Sequence, residues 1–223
     1  KALGFIVPGV RIRDDLNLEA SQYQIKIGQK IVADDLIYAD KKLAIAGDST
    51  NLEVSGLKVK EPAFGVDAYW IDKELQADAE AKGYVIVEPD DVLTTHLSQI
   101  INAYASDLLG QEEVQELLDN LQLSYPNLVD TVVPKVMPLN QVTAVMKCIL
   151  EEGVPISDLR LILESISSMN VQKMDSDDVA ERIRPKLVPL LIQKLIKFKD
   201  TVPLITFSPE LEQMILTTVR QNP

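Results

Sequence analysis

The stretch KEPAFGVDAYWID, residues 60–72, holds the single tryptophan of the chain, Trp70, with Tyr69 beside it and Phe64 shortly before. Only 5% of the 223 residues are aromatic, so three rings within seven residues mark a place where packing or recognition is concentrated. AYWI (68–71) reads as a strand buried on both faces, because a short apolar run bounded by turn residues has that meaning. Trp70 is therefore expected in the core. Pro62 fixes the local φ and biases Glu61 to an extended conformation, while Gly65 lets the chain bend straight after Phe64. These residues leave two readings of Phe64 open. It is a core ring, or it is an exposed ring on a stiff loop beside a carboxylate, which is how binding hot spots are often built.

Working outward, YVIVE (84–88) is a second strand, and Asp72 is placed to cap an intervening helix through KELQADAEAKG that stops at Gly83. A strand-helix-strand unit spans 68–88. Before it, GFIVPGVRIR (4–13), YQIKI (23–27), KIVADDLIYAD after a Gly28-Gln29 turn, and KKLAIAG (41–47) read as short strands, and GDSTN (47–51) as a loop. After it the period changes. Val92, Leu93, Leu97, Ile100, Ile101, Tyr104 and Leu108 recur at steps of three and four, which predicts one helix over 89–110 with an apolar face. Further helices are predicted at 111–121, 139–153 (Val142, Val145, Met146 and Ile149 inward, Cys148 off that face) and 157–166 with Ser157 as N-cap. YPNLVDTVVPKV (125–136) is a short segment bounded by prolines. Pro185 and Pro189 predict a kink or break in the helix that starts near Asp177. VPLITF (202–207) reads as a strand, and Ser208-Pro209 opens a last helix.

Composition bounds the function. Apolar residues make up 46% and charged residues 25%, ordinary values for a packed globular chain. No apolar run approaches the roughly 18–20 residues of a membrane span, and no signal peptide opens the chain. It enters the strand-like GFIVP directly after Lys1-Ala2-Leu3, which reads as part of something longer. One cysteine, Cys148, excludes an internal disulfide and fits a reducing compartment; one histidine and one cysteine exclude most zinc sites. The net charge of −12 argues against a nucleic-acid partner. Residues 89–168 carry most of it, with 3 basic and 12 acidic groups. That segment reads first as a well-solvated helical surface. No phosphate loop, nucleophile elbow, HExxH or CxxC is present. His96 reads as a structural histidine bonded to a neighbour, and Cys148 as an inert thiol. No catalytic residue and no cofactor is expected.

Taken in order, EPAFGVDAYWID, DVLTTHLSQIINAYASDLLGQEEVQELLDNL, YPNLVDTVVPK and VPISDLRLILESI resemble the cytoplasmic domain of the type III secretion export-gate family (the FlhA/InvA/LcrD family). GFIVPGVRIRDDLNL and LITFSPELEQMIL fit at the two ends, and the flagellar branch is favoured. The resemblance implies an α+β, multi-subdomain fold. A discontinuous thioredoxin-like subdomain (1–39 with 89–108, lacking its start) holds a small inserted α/β subdomain (40–88). A helical subdomain (109–188) follows, then the start of a truncated C-terminal α/β subdomain (189–223). It implies a docking platform that binds export chaperone–substrate complexes and passes substrates to the membrane channel, without enzymatic activity. The whole protein would sit at the inner-membrane face, anchored by a transmembrane part outside this sequence, in a nine-membered ring with other export-apparatus components as partners. The docking residues implied are Glu61, Phe64, Thr95 and Ile45. The alternatives are the virulence branch of the same family, or a generic non-enzymatic interaction module.

The resemblance also carries an expectation about assembly. Because ring contacts in the family involve segments not found in this sequence, the 223-residue chain is expected to be mostly monomeric at micromolar concentration; a stable nonamer in light scattering would contradict that.

Overall fold

The computed structural model describes residues 3–47, 53–195 and 206–221. They form two compact units, 1–187 and 188–223. The first unit is mixed α/β. Strands β1 (Gln22–Ile27) and β2 (Lys30–Leu36) make an antiparallel hairpin whose turn is Gly28-Gln29, with Gly28 at positive φ. Strands β3 (Lys41–Ala46), β4 (Leu57–Lys60), β5 (Asp67–Asp72) and β6 (Tyr84–Val87) make a second sheet in the order β4-β5-β3-β6.

Every neighbour pair in that sheet is antiparallel, so β5 and β6, both paired to β3, run parallel to each other. A parallel pair needs a crossover, and a short 3-10 turn (Lys73–Leu75) leading into α1 (Gln76–Ala81) supplies it. The crossover covers one face, where Ala44, Val54, Ile71, Ala79 and Tyr84 are packed. On the other face Leu43, Ala68 and Trp70 meet Val92 of helix α2 (Pro89–Ala103), with Tyr38 edge-on to the Trp70 ring at 5.6 Å. Leu43 stands opposite Trp70 in the ladder, and both are fully buried. The expected strand at 68–71, buried on both faces, is thus present as β5. Asp72 makes no side-chain cap; its carboxylate instead pairs with Lys41 at 2.5 Å across the ladder. Gly83 ends α1 as expected, at φ +86.

The helices that follow are α3 (Ala105–Leu108), α4 (Gln111–Gln122), α5 (Pro126–Val132), α6 (Leu139–Glu151), α7 (Leu159–Ser167) and α8 (Ser176–Leu195). Val142, Val145, Met146 and Ile149 of α6 are fully buried, as their spacing predicts, and so are Val114 and Leu118 of α4, Val132 of α5, and Ile162, Leu163 and Ile166 of α7. The second unit contains α9 (Pro209–Gln221).

Several expectations need correction. GFIVPGVRIR forms no strand: residues 6–15 make no ladder, and Ile6, Val10 and Ile12 are exposed. A β-rich sequence becomes a strand only when an edge pairs with it, and among the described residues the hairpin pairs only with itself. The start of this segment docks elsewhere. The Leu3 carbonyl accepts from Ile156 N–H at 3.0 Å, and Gly4, at φ +99, lies so close that a Cβ would sit 2.4 Å from the Ser157 nitrogen. Only glycine tolerates both that φ and that approach. The helix expected over 89–110 breaks at Tyr104 into α2 and α3. Ser157 does not cap α7; Asp158 does, accepting from Leu161 N–H at 3.0 Å. Of the kink or break expected at Pro185 and Pro189, the break does not occur: α8 is continuous through both. The strand expected at 202–207 lies largely outside the described residues.

Replacing Trp70 by Ala removes the largest side chain of the sheet's inner face. It is expected to cost about 3–5 kcal/mol in urea unfolding followed by far-UV circular dichroism.

Candidate functional site

Strands β4 and β5 are joined by the turn Glu61–Val66. Glu61 N–H donates to the Val66 carbonyl and Gly65 N–H donates to the Glu61 carbonyl, both at 2.8 Å. Gly65 takes φ +69, so the reversal falls immediately after Phe64. The Glu61 side chain folds under the turn. One carboxylate oxygen accepts from Ala63 N–H at 2.9 Å and the other from Phe64 N–H at 2.7 Å. Glu61 is 3% exposed, whereas the Phe64 ring, held above it, is 65% exposed. The carboxylate is therefore part of the turn's internal scaffold, and the ring is its presented surface. Lys60 and Asp67 pair at 2.8 Å across the mouth of the turn, in an exposed pair that adds little stability.

Ile45 is half-buried on β3, directly opposite Ala68, one residue from the strand end that closes the turn. It shares the sheet face of Leu43 and Trp70, against which α2 packs. Thr95 is exposed on α2, one turn beyond Val92, and His96 beside it is buried. Ile45 thus packs on the sheet face that Val92 of α2 covers, Thr95 stands exposed on that helix, and Glu61 and Phe64 lie on the β4–β5 turn, one buried and one exposed.

Two residues that the resemblance does not single out join the hairpin to α2. Tyr23 of β1 and His96 of α2 meet with the Tyr23 hydroxyl 2.6 Å from His96 Nδ1, their rings edge-on at 5.8 Å. Burial raises the Tyr23 pKa well above its usual value, and the charges of Asp35 and Glu61 push it the same way. The string TTH signals the histidine. Nothing in YQIKI distinguishes Tyr23 from any other half-buried strand residue, since its partner is 73 positions away.

The apolar stripe of α2 is placed differently from what its periodicity suggests. Leu93, Leu97, Ile100, Ile101 and, from α3, Leu108 do not face the sheet; they line an open groove of about 920 Å³ with Val10, Ile12 and Ile25. At 100° per residue, Thr95 lies on roughly the opposite side of α2 from that groove, so the two surfaces are separate. The one free thiol, Cys148, is partly buried on α6. Burial pushes its pKa up to about 11, and a hydrogen bond to Asp177 adds to that. Among the described residues no cluster of three or more His, Cys, Asp or Glu could hold a metal ion, and no helix is long and apolar enough to cross a membrane.

The fold, a four-stranded sheet with a helix laid on one face and further helices after it, is one also seen in a solved domain of a type III secretion system. The FHIPEP family profile matches residues 1–223, and the chain belongs to that family. Its relatives include the flagellar biosynthesis protein FlhA of Helicobacter pylori (strain J99), 34% identical over 220 residues, which are 98% of this chain and 30% of that protein. The FlhA proteins of Bacillus subtilis (strain 168) and Escherichia coli (strain K12) are each 32% identical over 99% and 98% of the chain. The chain spans about a third of the length of these curated relatives. Among solved structures, the Chlamydia pneumoniae CdsV protein superposes with a TM-score of 0.76 at 24% identity, over 97% of this chain and 63% of that one. The nonameric EscV cytosolic domain of a type III secretion system superposes with a TM-score of 0.62 at 19% identity, over 92% and 61%. These two likenesses establish the fold.

Two outcomes are expected. Glu61→Ala leaves two turn N–H groups without their acceptors and should destabilise the chain by about 1–3 kcal/mol, with Glu61→Gln losing less because one carbonyl oxygen remains. Chemical denaturation and amide exchange at Ala63 and Phe64 read both. With its pKa near 11, Cys148 should be alkylated at neutral pH more than about tenfold more slowly than a free cysteine, and the rate should climb as pH rises toward that value.

Proposed function

We propose that the chain is part of the cytoplasmic domain of an export-gate protein of the flagellar type III pathway, and that it docks export chaperone–substrate complexes through Phe64. The observation that carries this reading is the 65% exposed phenylalanine on a turn locked from beneath by a buried carboxylate. A large apolar ring is ordinarily buried, and one held rigidly in water loses little conformational freedom when a partner covers it. Thr95 and Ile45 form the neighbouring surface, one supplying a hydroxyl and the other an apolar flank. Glu61 acts by holding the turn. The reading gives the chain no enzymatic step: the docked cargo is handed on, in the whole protein, to the membrane channel.

The same proposal extends to architecture. The hairpin β1–β2 and helix α2 meet through Tyr23 and His96, although β3 to β6 lie between them in sequence. That is what an interrupted subdomain predicts, with residues 1–39 and 89–108 forming one thioredoxin-like body and 40–88 inserted in it. The helical subdomain (109–188) and the segment from 189 complete the proposed series. In the whole protein, nine such domains would form a ring below the membrane, together with other export components. The relatives named flagellar biosynthesis protein FlhA support the flagellar branch, and the nonameric neighbour supports the ring.

The test is isothermal titration of the chain with a panel of flagellar chaperone–substrate complexes. Phe64→Ala is expected to keep the circular dichroism spectrum and melting transition while losing about 1–3 kcal/mol of binding free energy. Unfolding by that substitution, or undiminished binding, would refute the role of Phe64.

A further inference from the structure

We infer that Val85, on the edge strand β6, is a further docking residue, which with Ile45 receives apolar side chains of the export chaperone–substrate complex. The inference rests on the docking reading and extends the surface of that same site. Val85 is not among the residues that the resemblance marks.

Residues that stand opposite each other in paired strands share a face of the sheet. Ile45 stands opposite Ala68 of β5 and opposite Val85 of β6, and Ala68 stands opposite Val59 of β4. Val59, Ala68, Ile45 and Val85 are therefore one row across all four strands. The neighbouring row on the same face is Leu57, Trp70, Leu43 and Val87. Strands β4 and β5 are the ones that the Phe64 turn joins. The first row thus runs from the base of that turn to the β6 edge, with Ile45 in its path.

The row is covered unequally. Ala68 is buried in one cluster with Leu43, Trp70 and Val92, and Ile45 and Val59 pack at its margin, partly exposed. Val85 takes no part in that cluster and is 59% exposed. As the cross-strand neighbour of Ile45, at about 5 Å, it continues the apolar surface outward from the covered area. Neither row contains a charge. The charged pair on this face, Lys41 with Asp72, is closed on itself beyond the Leu43 row, and Lys60 with Asp67 belongs to the opposite face. The two edge strands of the described sheet also differ. Edge strands commonly carry charges that keep other chains away, and β4 carries Lys58 and Lys60, whereas β6 carries none. A partner that fits this strip presents apolar side chains and needs no counter-charge, so its contact here resists salt. Valine is stiff at χ1 and loses little rotamer freedom when it is covered.

The test is calorimetry of the whole chain with flagellar chaperone–substrate complexes. It compares Val85→Thr, Val85→Lys, Phe64→Ala and Leu123→Gln, the last altering an 86% exposed leucine at the end of α4. Val85→Thr keeps the branched shape and replaces a methyl by a hydroxyl. It is expected to leave the melting transition in place and to weaken binding by roughly threefold to tenfold, Val85→Lys by more than about tenfold, and Leu123→Gln not at all. The factor for Val85→Thr should be the same at about 0.1 M and about 0.5 M salt. Direct contact is read on Val85→Cys in a Cys148→Ser background, where bound complex is expected to slow alkylation by roughly fivefold or more. Should Val85→Lys fail to fold, Val85→Thr and the cysteine variant decide. If the Val85 variants bind like the unmodified chain, or alkylation is unaffected by the complex, while Phe64→Ala loses affinity, the inference is overturned and the docking reading stands. An equal loss in Leu123→Gln and Val85→Thr also overturns it, since any exposed apolar residue would then serve. If the Val85 variants lose affinity and Phe64→Ala does not, Val85 is upheld and the role of Phe64 fails. If no complex binds even the unmodified chain, the docking reading fails and takes the inference with it.

Discussion

Strand β3 is paired on both edges and covered on both faces, and the arrangement around the candidate site follows from that confinement. Its residues Leu43 and Ala44 point to opposite sides of the sheet, and each is fully buried. A strand so enclosed needs a layer on each side. The α1 crossover forms one layer and the start of α2 the other. Once α2 is laid on the Leu43–Trp70 face by Val92, Thr95 and His96 follow one turn further along the same helix. The proposed docking residues come from three places in the sequence and are carried by this sheet, its β4–β5 turn and the helix laid on it.

The turn itself shows how a charged residue can serve a surface without belonging to it. A carboxylate with 3% exposure is unfavourable unless its hydrogen-bonding capacity is met, and two backbone N–H groups meet it here. The consequence is a stiff loop that presents an apolar ring to water. Read from composition, an acidic residue beside a phenylalanine suggests a charged contact next to an apolar one. In the fold, the charge faces inward and only the ring faces out. The acidic character of the helical segment that follows is of another kind: Glu112, Glu116 and Asp119 are exposed along α4, as a solvated face requires.

The open groove beside α2 explains why the periodic signal there overstated the core. Leu93, Leu97, Ile100 and Ile101 repeat as an amphipathic helix should, and the helix forms. Periodicity reports which residues share a side, and it is silent about what stands opposite that side. The residues that α2 does bury against the sheet system, Val92 and His96, lie on a different flank. The same distinction separates GFIVPGVRIR from β5. Both have strand-forming residues, but only β5 has partners on both edges, whereas residues 6–15 make no ladder.

What the sequence by itself determined is the set of local elements whose causes are local. These include β5 and β6 with α1 between them and Gly83 as its stop, the Gly28-Gln29 turn, the buried stripe of α6, and the bend after Phe64 enforced by Gly65. The order of motifs from EPAFG to SDLRLILESI was also enough to reveal the family that the whole-chain comparison bears out. Only the tertiary structure decided which way Glu61 faces, whether the α2 stripe is covered, that Asp158 and not Ser157 caps α7, and that Tyr23 meets His96. The reason is physical. Turn and helix propensities act over a few residues, within reach of sequence reading. The direction of a carboxylate and the partner of an imidazole depend on which surfaces pack together, and those surfaces come from positions as far apart as 73 residues.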